Sequence, residues 1–122
     1  SWYGETARAR PAPGYIAPPL DGVWATAPFL HNGSVPTLAA LLDSRQRPRY
    51  WTRNFASTEY DLDAIGWYYE ELPSGKEQAG DPEQRKRLYD TTQRGYSNAG
   101  HTFGDGFSDS ERRAVMEYLK TL

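Results

Sequence analysis

The sequence predicts a mostly α-helical chain with extensive irregular loops. Two observations carry that expectation: helical periodicity appears in short segments that open on capping signals, and the connecting stretches are rich in proline (9) and glycine (11). A third is the weakness of any strand signal, which amounts to one or two short extended pieces.

The elements follow in chain order. Residues 1–20 contain Pro11, Pro13, Pro18 and Pro19 with Gly4 and Gly14, and read as an extended arm. Residues 21–31, DGVWATAPFLH, are apolar but interrupted by Pro28, so a loop or short strand is expected rather than a helix. Asn32-Gly33 signals a turn, Ser34 can cap, Pro36 suits a first helical turn, and residues 37–42 (TLAALL) form a short apolar helix. Between about 43 and 95 the pattern weakens into a long loop insertion, with short extended pieces near 51–55 and 65–69 and a brief helix after Pro82. The ending is the clearest element. Ser108 to Glu111 forms a capping box, and Val115, Tyr118, Leu119 and Leu122 recur at helical spacing, with Arg112, Arg113, Glu117 and Lys120 opposite.

Composition narrows the function classes. A net charge of −2, from 14 basic and 16 acidic residues, provides no electrostatic footprint for nucleic acid or an anionic membrane. No apolar run approaches the length of a membrane span. With no cysteine, the chain has no disulfide, no thiolate metal site and no thioether to haem. Four Trp, nine Tyr and four Phe are many for so polar a chain. They suit either an aromatic staple for a loop-rich fold or a surface packed on another domain or a flat cofactor. The first residue, Ser1, leads us to expect either processing or a piece cut from a longer chain, and so few regular elements lead us to expect a chain that needs a partner surface to be stable.

No catalytic motif stands by itself. P-loop, dinucleotide-binding, nucleophile-elbow and HExxH patterns are all missing from the sequence. Asp61 with Asp63, and Glu70 with Glu71, read as solvated loop charges, and Asn32-Gly33-Ser34 is a glycosylation triplet of a kind that arises often by chance. Two histidines remain, His31 before a Gly turn and His101 after Gly100. Without a carboxylate at motif spacing they do not make a zinc site. A neutral imidazole on a Gly-flanked loop can hydrogen-bond locally or serve as an axial haem ligand to another segment.

Residues 26–38, TAPFLHNGSVPTL, resemble the T-A-P-Y-F-H-D-G-S-x-x-T-L stretch of the bacterial dihaem cytochrome c peroxidases and their relatives. The tail from 104 to 122 is similar to that family's closing pattern of Gly, a short loop, acidic residues and a helix ending in Leu-Lys-Thr-Leu. Residues 19–28, PLDGVWATAP, and 97–101, SNAGH, look like the branch that contains the rubber oxygenases. A looser echo lies at Tyr60-Asp61 and Gly66-Trp67. Three departures stand out: neither CxxCH haem-attachment motif of the family is here, Asn32 stands where the peroxidases usually have Asp, and the 43–95 insertion is unlike the compact peroxidases.

The resemblance implies the C-terminal part of a cytochrome c-like haem domain, incomplete over residues 21–122 and completed by a companion segment that carries CxxCH. It implies haem c as cofactor, peroxide or dioxygen as oxidant, a possible redox partner protein and a periplasmic or secreted location. It places His101 as the distal axial ligand and His31 at the haem edge, bonded to a propionate or nearby backbone. Trp24, Phe29, Leu30 and Phe103 would lie nearest the haem, and the carbonyls of Thr26 and Pro28 would face a calcium ion. Two other readings differ in class: an electron-transfer cytochrome subunit without its own catalysis, and a haem-free structural module.

Overall fold

A computed structural model of the chain describes residues 13–122, so most of the expected 1–20 arm lies outside the described residues. The expected mostly α architecture is corrected. Helix accounts for 29% and strand for 13%, in three short helices and two small antiparallel sheets among the described residues. The strands come from the 43–95 region, where Trp and Tyr residues favour a pleated, half-buried surface and no 3.6-residue apolar stripe competes.

The first helix, α1 (Leu38–Leu42), starts later than Pro36, because Thr37 rather than Ser34 is its cap and accepts from the Ala40 amide at 3.2 Å. Its next free donors, the Leu38 and Ala39 amides, reach the carbonyls of Ile65 and Ala64 at 2.8 and 3.1 Å. Ile65 takes a left-handed φ of 56°, which costs a β-branched residue about 1–2 kcal/mol. Its fully buried side chain offsets this by roughly 1.5–3 kcal/mol. Beside it only glycine fits at Gly66, where a Cβ would stand 2.3 Å from the Pro36 carbonyl.

Strand β1 (Tyr50–Thr52) is central in a three-stranded sheet, between β4 (Glu70–Glu71) and β5 (Tyr89–Asp90). A second sheet pairs β2 (Tyr60–Asp61) with β3 (Gly66–Trp67). Trp51, 0% exposed, pins the larger sheet to the rest of the chain. It stacks on Tyr89 at 3.9 Å and donates its indole N–H to the Ser34 carbonyl at 3.0 Å. The polar helix expected after Pro82 forms as α2 (Pro82–Arg87), capped by Asp81.

Helix α3 (Asp109–Leu119) carries the expected capping box between Ser108 and Glu111. Its buried face differs from the one read by spacing. Met116 and Leu119 are buried with Phe29, Val35, Leu38, Ala40 and Ile65, Val115 packs partly against them, and Tyr118 is exposed. Arg112, read as polar-face, is instead 5% exposed. Its burial is possible because its guanidinium is bonded to Leu42, Phe107 and Asp109 oxygens at 3.1, 3.0 and 2.8 Å.

Candidate functional site

The segment 95–102 has no regular structure, and side chains from two other places in the chain hold it: Asn32 with Ser34, whose hydroxyl donates to Ser97 O at 3.4 Å, and Arg47. Asn32 donates both amide hydrogens, to Gly95 O at 3.1 Å and Ser97 O at 2.9 Å, while its Oδ1 accepts from the Ser34 amide. An aspartate could not donate to those carbonyls, which accounts physically for Asn at this turn.

The second anchor is Arg47. Its guanidinium donates to Ala40 O (3.1 Å) and Leu41 O (2.9 Å) in the last turn of α1, and to Asn98 O, Gly100 O (2.6 Å) and His101 O (2.8 Å) in the loop. The α1 carbonyls are among those a helix leaves without partners at its C-terminus, where a cation is also favoured. Burial draws the Arg47 pKa below its ordinary value, against the charge of Asp105. Asp105 in turn accepts from the amide and hydroxyl of Ser44 at 2.7 and 2.6 Å, which hold its carboxyl below the usual range. Nearby, the buried Asp43 lies well below that range, chiefly through Arg45 and then Gln46.

His101 projects from this braced loop with a left-handed φ of 56° and an exposed side chain. Among the described residues its ring makes no hydrogen bond; its aromatic neighbour is Phe103, 6.2 Å between centroids and 86% exposed. Gly100 has open space where a Cβ would stand.

His31 is exposed and stacks on Tyr15, 3.9 Å away and 15° from parallel. Trp24, 38% exposed, lies in a single turn of 3-10 helix (Val23–Ala25), and its carbonyl accepts from the Tyr60 hydroxyl. Burial raises the pKa of that hydroxyl. The Ala27-Pro28 peptide is cis, and among the described residues neither the Thr26 nor the Pro28 carbonyl accepts a hydrogen bond. Phe29 points inward, 6% exposed, and bridges to Val35; Leu30 is half-buried with φ 65°. Of the expected haem neighbours, therefore, Trp24 and Phe103 face outward, while Phe29 belongs to the chain's own core.

Sequence reasoning missed Arg47, Arg112 and Tyr15. Arg47 sits in RQRPR, within the stretch read as a loop insertion, and nothing local foretells carbonyls 51 to 54 residues away. Arg53 was also unread: its guanidinium lies 3.4 Å over Trp67 and 4.7 Å from Phe55, and its Nε has no hydrogen-bond partner among the described residues. Among the described residues no group of three His, Cys, Asp or Glu could hold a metal ion, and no helix is long and apolar enough to cross a membrane.

Among the described residues, then, the His101 imidazole makes no hydrogen bond and lies beside an outward aromatic on a braced loop, in a chain without cysteine. Residues 14–52 match the family model described as RoxA-like, cytochrome c-like, which supports a cytochrome c-like relationship and a haem-related redox role. Two proteins of Sinorhizobium fredii (strain NBRC 101917 / NGR234) are similar across most of the chain. Uncharacterized protein y4iJ is 43% identical over 119 residues, 88% of this chain and 18% of that protein. Uncharacterized protein y4iM is 40% identical over 131 residues, 95% of this chain and 29% of that protein. The chain thus spans less than a third of either relative's length.

Proposed function

We propose that this chain covers a c-type haem in a dihaem cytochrome of the peroxidase or rubber-oxygenase type, and that His101 is the axial ligand it presents. The observation that carries the reading is the exposed His101 ring, without a hydrogen bond among the described residues, beside exposed Phe103 on a loop fixed by side chains from two other segments. When bound, the haem supplies electron transfer and activation of peroxide or dioxygen. The chain's residues offer a neutral nitrogen from His101, apolar cover from Phe103 and Trp24, and a hydrogen bond from His31 to a propionate or nearby backbone. Phe29 belongs to the buried core, and Leu30 packs partly against it. A companion polypeptide segment bearing CxxCH attaches the haem, because this chain has no cysteine to form a thioether. The cytochrome c-like match also supports an extracytoplasmic location, periplasmic or secreted, where a redox partner protein would meet it.

The test is the absorption and EPR spectrum of the haem-loaded protein with His101→Ala. Loss of the low-spin signal is expected, and an unchanged low-spin spectrum would overturn the assignment. Turnover of peroxide or dioxygen in the same sample separates catalysis from electron transfer alone. A purified native protein without a Soret band would make the chain a haem-free structural module.

The Thr26 and Pro28 carbonyls, which accept no hydrogen bond among the described residues, support a calcium ion as well, since carbonyl oxygens are hard ligands. Chelation is expected to remove bound calcium and shift the haem spectrum; unchanged metal content and spectrum would dismiss it.

A further inference from the structure

We infer that Arg47 is the positioning residue for His101, an inference that rests on the ligation proposed above. The loop carrying His101 has no strand or helix of its own, and His101 sits in a left-handed conformation that L-residues adopt rarely. A ligand on such a loop would sample many directions unless its backbone were held. Arg47 holds it, with bonds to the carbonyls of Asn98, Gly100 and His101 on one side and of Ala40 and Leu41 on the other. The guanidinium ties the loop to the end of α1, and α1 belongs to the buried core through Leu38 and Ala40. Lysine replaces it only in part, because an ammonium has three donors without the planar fork that reaches two segments at once. Arg47 has no carboxylate within ion-pair distance among the described residues, so its charge is committed to main-chain carbonyls rather than to a surface pair.

The experiment uses the haem-loaded protein with Arg47→Ala, Arg47→Lys and His101→Ala. Amide exchange across 98–102 is expected to rise roughly tenfold or more in Arg47→Ala, with the α1 core still protected. The low-spin haem signal should fall and a high-spin fraction appear, and added imidazole should restore low-spin character in Arg47→Ala as it does in His101→Ala. Arg47→Lys should lie between wild type and alanine, and decides the matter if the alanine variant fails to fold. Low-spin spectra unchanged in both Arg47 variants, while His101→Ala turns high-spin, would overturn the positioning role and leave ligation standing. A silent His101→Ala would overturn both.

Discussion

Replacing Asn32 with aspartate tests how the 95–102 segment is held. Asn32 is half-buried, and its Nδ2 donates to Gly95 O and Ser97 O at 3.1 and 2.9 Å. Aspartate keeps the Oδ1 acceptor for the Ser34 amide but sets an anionic oxygen against two carbonyl oxygens. Each lost hydrogen bond contributes about 1 kcal/mol, partly recovered because Gly95 and Ser97 are exposed and can turn to water. Repulsion adds to the loss, so Asn32→Asp should destabilise the segment by about 2 kcal/mol. The assay is native-state amide exchange of residues 95–102 beside a thermal melt. At about 1.4 kcal/mol per factor of ten, the aspartate variant should exchange roughly tenfold to thirtyfold faster there. Trp51 and its neighbours in β1 serve as the internal control, since their amides should stay equally protected in parent and variant. An aspartate variant as well protected as the parent across 95–102 would refute the reasoning, since it would show that the Nδ2 donors hold nothing.

Arg112→Ala leaves the part-buried Leu42 and Phe107 carbonyls without their donor and opens a gap where the buried side chain lay, and should cost roughly 3 kcal/mol, seen as a lower denaturation midpoint with unchanged m-value. Stability should fall in acid. Asp43, Asp105 and Glu111 are held below the usual carboxylate range by Arg45, Ser44 and Ser108 respectively; at Asp90 burial pushes the other way but is outweighed by the Thr92 and Lys76 donors. A lowered folded-state pKa contributes stability above the unfolded value, about 4, and loses it as pH drops through that value toward the folded one. Thermal midpoints should therefore be level, as far as these groups act, above about pH 5 and decline below about pH 4; midpoints rising with acid would contradict the carboxylate bonding.

Features that depend on neighbours a few residues apart were legible in the chain alone. The Ser108–Glu111 capping box, the brief helix after Pro82 and the apolar run of α1 are of this kind, because caps and helical turns are local. The T-A-P stretch likewise lies within the residues that match the cytochrome c-like family model. Everything that joins distant segments had to come from the folded molecule. The sheet joins β1 to strands about twenty and forty residues away, in an order that short aromatic pieces do not encode separately. Phe29 faces inward because Val35 and Met116 share its cluster, although its motif alone read as haem-facing. Arg112 leaves the solvent and Arg47 half leaves it because distant carbonyls supply what water otherwise would, and an arginine's sequence neighbours do not show where such oxygens will gather.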